Sequence, residues 1–129
     1  MDQQRFESLV LKAMEELPEE FKQKLENVDV TVESYPSKAQ IRQFGLRHGS
    51  QLLGLYQGIP QINRNRSYNF VLPDRITVFQ KPIEARCHSD KEIEIEIGKV
   101  VYHEVAHHFG IGDETLRKIE HQKQKNGKS

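Results

Sequence analysis

His103-Glu104-Val105-Ala106-His107-His108-Phe109-Gly110-Ile111-Gly112-Asp113 holds the pattern HExxH, extended by a glycine and an aspartate at fixed distances. Residues four apart lie on one face of a helix, so His103 and His107 can direct two imidazoles at one metal ion. Zinc accepts neutral imidazole nitrogens, and a catalytic zinc site has three protein ligands with a fourth position left open. Glu104 follows the first ligand, where its carboxylate can reach the activated water as general base. Gly110 provides a residue that turns left-handed without a Cβ penalty just past the last helical turn. The chain can then reverse and bring Asp113 back as third ligand. Asp113 has a second reading, as the N-cap of a following helix. The whole stretch has a second reading as well, because Val100, Val101, Tyr102, Val105, Ala106 and Phe109 would make it a core helix whatever the histidines do.

The segment before the motif decides how long that helix is. Ile93, Ile95 and Ile97 alternate with glutamates, which fits a strand, but Ile93, Ile97, Val100 and Val101 also share one helical face. The motif requires a helix and no turn signal intervenes except Gly98. The sequence therefore predicts one helix from about 90 to 109, capped by Ser89 or Asp90, with a cost of about 1 kcal/mol at Gly98. A last helix is expected over 114–123, anchored by Leu116 and Ile119, with a frayed polar tail from about 123.

Further upstream, Arg75-Ile76-Thr77-Val78-Phe79 reads as a strand within 74–80 that Pro82 closes, followed by a helical turn at 84–88. Residues 52–58 read as another strand, ended by Pro60. Gly54 inside it marks either a bulge or the close approach of another backbone. In a peptidase that backbone is the substrate, which makes Leu52, Gly54 and Tyr56 candidate substrate-binding residues. Residues 61–73 form a long polar loop, read as a flap or a plain surface loop. Its Arg64, Arg66, Tyr68 and Phe70 faintly resemble a platform for single-stranded nucleic acid.

Toward the N-terminus, Val28, Val30 and Val32 alternate with polar residues, a strand over 28–35 with one buried face. Ser37 caps a short helix over 37–44, and His48 sits in a solvated turn between Gly45 and Gly49. Phe6, Leu9, Val10, Ala13, Met14 and Leu17 recur at helical spacing, which predicts an amphipathic helix over 2–17. Pro18 suits the first turn of a second, short helix carrying Phe21 and Leu25.

Composition narrows the function classes. A length of 129 residues fits one domain, 1–129, and an apolar share of 36% predicts a modest core. Nineteen basic and nineteen acidic side chains cancel, so no electrostatic case exists for nucleic acid or an anionic membrane. The single cysteine, Cys87, cannot form an internal disulfide and fits a reducing compartment. A free thiol is a better reading of Cys87-His88 than a metal or nucleophile pair. No apolar stretch predicts a signal peptide or a membrane span. A cytoplasmic monomer is expected.

With HEVAHHFGIGD as its most specific part, the sequence resembles the small zincin-like metallopeptidases with an HExxHxxGxxD motif, the minimal zincin fold. Leu52-Leu53-Gly54-Leu55-Tyr56 followed by Gly58 and Pro60, Arg75-Ile76-Thr77, and Pro82-Ile83-Glu84 share in that resemblance. It implies an α+β fold in which a small twisted mixed sheet packs against the active-site helix, beside N-terminal helices. It implies one zinc per chain, held by His103, His107 and Asp113, with Glu104 as base and a peptide or protein as substrate. Larger zinc proteases fit less well. A metzincin would need a methionine turn after the motif, yet Met1 and Met14 both precede it. A gluzincin would draw its third ligand from Glu114 or Glu120, both too near the turn. Tyr56, Tyr68 and His121 are candidates to stabilise an oxyanion. The competing function is a non-catalytic, zinc-stabilised module for binding protein.

Overall fold

The computed structural model describes residues 1–25, 27–58 and 73–109 of the chain. Along them run α1 (Gln3–Glu15), α2 (Glu19–Lys22), β1 (Val28–Glu33), α3 (Lys38–Gln43), a 3-10 turn (Gly49–Gln51), β2 (Gly54–Gln57), β3 (Asp74–Phe79), α4 (Gln80–Ala85) and α5 (Asp90–His108). The last helix predicted from sequence, over 114–123, and the loop carrying Arg64, Arg66, Tyr68 and Phe70 lie outside the described residues.

β3 is the middle strand of a small mixed sheet, in the order β1-β3-β2. It runs parallel to β1, with Val30 opposite Ile76, and antiparallel to β2, with Gly54 opposite Val78. Its sequence explains that place. Ile76, Thr77, Val78 and Phe79 are buried in succession, as in a strand covered on both faces. One face sets Ile76 and Val78 beside Val32 in the main core, with Phe6 and Val10 of α1 and Ile97, Val101 and Val105 of α5. The other face sets Phe79 beside Leu55 and Leu52 in a smaller cluster. The fold is α+β, with helices gathered on a small mixed sheet, as expected.

Local signals act where the sequence places them. The Asp2 side chain accepts from the Arg5 N–H and caps α1. Ser37 and Gln40 form a capping box that starts α3. Ser89, rather than Asp90, caps α5 by accepting from the Glu92 N–H. α5 then continues unbroken through Gly98 to His108, so the helical reading of the isoleucine run prevails over the strand reading. Ile93 and Ile97 are buried while Ile95 is half exposed, the pattern of one face at helical spacing. No helix among the described residues is long and apolar enough to cross a membrane.

Several boundaries differ from the expectation: α1 ends at Glu15, and β2 begins at Gly54, so Leu52 precedes the strand as the C-cap of the 3-10 turn. β1 stops at Glu33, short of Tyr35. α4 begins at Gln80, ahead of Pro82, instead of forming a turn at 84–88 after it. Proline in a first helical turn gives up an N–H that has no helical partner there. The neighbouring Lys81 N–H donates to the Ser34 carbonyl at 3.0 Å, so the start of α4 is satisfied by the chain leaving β1.

Two glycines respond to substitution in opposite directions. A Cβ on Gly98 would meet nothing within 4 Å, whereas one on Gly54 would lie 2.6 Å from Val100 Cγ1. Gly98→Ala is expected to stabilise the protein by about 0.5–1 kcal/mol through helix propensity. Gly54→Ala is expected to destabilise it by about 1–3 kcal/mol through overpacking. Urea unfolding of the two variants beside the wild type checks both signs.

Candidate metal centre

α5 divides into two sides at its C-terminal end. Val101, Tyr102, Val105 and Ala106 are buried, and His103 and His107 are exposed. The spacing that buries the apolar residues at 101, 105 and 102, 106 leaves 103 and 107 on the open side. The two imidazole rings stand 6.0 Å apart, centre to centre, at 48°. Two imidazoles bound to one tetrahedral zinc have centres about 5 Å apart, given zinc–nitrogen bonds of about 2.0–2.1 Å. Small side-chain rotations close that difference, so the pair fits two of the donors of a zinc site. Among the described residues, no group of three His, Cys, Asp or Glu side chains forms a complete metal-binding set. Asp113, the third ligand implied by the resemblance, lies outside them, as does Gly110.

Glu104 sits between this open face and the sheet. It is half-buried, and desolvation by burial pushes its carboxyl above the usual carboxylate range, with His107 pulling the other way. The strand below explains the burial. Gly54 lies so close to α5 that a Cβ there would be 3.4 Å from Glu104 Cγ as well as crowding Val100. The close approach anticipated at this glycine is therefore made by α5 itself. Of the other two candidate substrate-binding residues, Leu52 is buried with Leu55 and Phe79 on the far face of the sheet. Tyr56 points the same way as Gly54, toward α5.

Tyr56 makes the contact that sequence reasoning missed. Its ring stacks on His108 with centres 3.9 Å apart and planes at 24°. Its hydroxyl donates to Asp74 Oδ2 at 2.9 Å, and burial, reinforced by that bond, raises its pKa well above the ordinary phenol value. The same carboxylate oxygen lies 3.7 Å from His108 Nε2. Gly58 leaves room for the imidazole, since a Cβ there would come 2.9 Å from His108 Cε1. His108 thus turns toward the sheet, away from the face that carries His103 and His107. Of the group, the sequence singles out Tyr56 alone, and for other roles. Tyr68 and His121, the other oxyanion candidates, lie outside the described residues. Cys87 is a free, half-buried thiol whose pKa is raised chiefly by desolvation.

The family model for zincin-like metallopeptidases matches residues 25–123. The chain belongs to the zincin-like metallopeptidase family. No curated protein matches it. Among solved structures, the chain is similar to a conserved hypothetical protein from T. thermophilus at 26% identity and a TM-score of 0.54. That similarity covers 91% of this chain and 98% of the other. Family membership implies zinc binding.

The position of Glu104 has a measurable effect in the metal-free protein. A carboxyl whose folded pKa is raised favours the fold when protonated and loses that contribution as pH rises through the folded value. Metal-free Glu104→Gln is therefore expected to be more stable than metal-free wild type at neutral pH. The difference should shrink on acidification below the carboxylate range. Thermal unfolding in chelator across pH checks the sign and its pH dependence.

Proposed function

We propose that the protein is a zinc-dependent peptidase acting on peptides or unfolded segments. The observation that carries the reading is the arrangement at the end of α5. Two imidazoles face outward one turn apart, and the one carboxylate between them is tucked against the edge strand β2. His103 and His107 would hold the metal through ring nitrogens, with Asp113 as the third donor. When bound, zinc lowers the pKa of a water toward about 7 and polarises the scissile carbonyl. Glu104 accepts the proton of the attacking water on a carboxylate oxygen and passes it to the nitrogen of the leaving amine. β2 pairs with β3 on one side. Among the described residues its other edge is unpaired, and an extended peptide there would add backbone hydrogen bonds along Gly54 and Tyr56, with Leu52 lying just before the strand. Gly54 and Tyr56 would then contribute main chain rather than side chain, because their side-chain positions face α5.

The test pairs metal analysis with cleavage of a peptide library. Wild type is expected to hold one zinc per chain, and His103→Ala or His107→Ala to lose it. Asp113→Asn should weaken zinc binding sharply, since asparagine caps a helix as well as aspartate does but is a poor ligand. Glu104→Gln should keep zinc and lose cleavage by at least about 100-fold, the usual contribution of a general base. Cleavage that survives Glu104→Gln would assign the base elsewhere. A wild type that binds zinc and cuts nothing would make the chain a zinc-stabilised binding module instead.

A further inference from the structure

His103 and His107 are not held equally by α5. His103 lies a full turn inside the helix. His107 lies in the last turn, beside the terminal residue His108 and the C-cap Phe109. Carbonyls of a last turn lack helical partners, and such turns fray unless something else fixes them. On one side, Val105 and Ala106 anchor this turn in the core, and Lys24 Nζ lies 5.5 Å above the Phe109 ring. Among the described residues, His108 anchors it on the other side as well. Its ring lies flat on Tyr56 of β2, Tyr56 donates to Asp74 at the start of β3, and Asp74 approaches His108 Nε2. The three residues form a linked group joining the helix end to two strands.

We infer that Tyr56, Asp74 and His108 are positioning residues, a clamp that holds the last turn of α5 against β2 and so presets His107 for the metal. The inference rests on the reading of His103 and His107 as ligands. A preset ligand loses less conformational freedom when the metal arrives, and residues that orient ligands typically contribute about 10–100-fold to metal affinity. The clamp touches β2 on the strand face that also carries Gly54, so it fixes the metal-binding turn to the strand proposed to carry substrate.

Zinc affinity, measured by competition with a chromogenic chelator, separates this role from a merely structural one. His108→Ala removes the stack and the approach to Asp74, and Tyr56→Phe keeps the ring but removes the hydrogen bond. Leu55→Ala serves as control, because Leu55 packs on the opposite face of the same strand with Leu52 and Phe79. It should lower the unfolding temperature without reaching α5. The expected result is a zinc affinity reduced about 10–100-fold in His108→Ala and reduced less in Tyr56→Phe. Leu55→Ala should bind as wild type does. His108→Phe, which restores a ring on Tyr56, should recover most of the loss. Wild-type affinity in His108→Ala overturns the clamp, even where His103→Ala abolishes binding and the metal reading stands. Equal losses in His108→Ala and Leu55→Ala overturn it too, since general destabilisation then explains both. A wild type that binds no zinc removes the metal reading and the clamp together.

Discussion

The contact between α5 and β2 at Gly54 is the constraint on which the arrangement of the site depends. With a hydrogen in place of a side chain, the strand lets Val100 come to a distance that no Cβ would allow. One turn further along, the same approach tucks Glu104 against the sheet and strips water from part of its carboxylate. Helix and edge strand become neighbours there, and the open face of the helix ends up beside the strand. A larger residue at 54 would separate the two, and the proposed base would lose its place between the open face and the strand.

The rest of the fold serves that contact. β3 fills the middle of the sheet because four consecutive residues, Ile76 to Phe79, are apolar or buried and can be covered on both faces. α1 lies along α5, with Phe6 and Val10 in the shared core. Its exposed rim pairs Arg5 with Asp90 and Lys12 with Glu94, each at 2.9 Å. Such exposed pairs contribute little to stability, so the packing beneath them holds α1 in place. The core therefore grips α5 along its length from one side. Near its C-terminus the Tyr56, Asp74 and His108 group adds a second hold from the sheet edge.

The legible parts were those in which local pattern and tertiary burial agree. The histidine spacing, the valine alternation of β1, the caps at Ser37 and Ser89 and the helical face through Ile93 and Ile97 all depend on neighbours within a few residues. The start of α4 is not legible locally, because Pro82 reads as a stop when only the chain before it is considered. Its helix begins two residues earlier, where Lys81 finds the Ser34 carbonyl, a partner far back in the chain. Gly54 announced a close approach but could not name the partner, since Val100 and Glu104 lie on another element. Helical geometry, at about 100° per residue, turns His108 away from the face that carries His103 and His107. Its stacking on Tyr56 and the role of Asp74 depend on the order of three strands, which no local pattern carries.

X-ray absorption at the zinc edge of the stoichiometrically loaded protein tests the account most directly, because it reads the donors around the metal without altering any of them. The account predicts a four-coordinate shell of nitrogen and oxygen at about 2.0–2.1 Å, with outer-shell scattering from two imidazoles. A sulfur donor at about 2.3 Å, which only Cys87 or a methionine could supply, would contradict it. So would a shell with fewer than two imidazoles, because the open face of α5 would then not be the metal site.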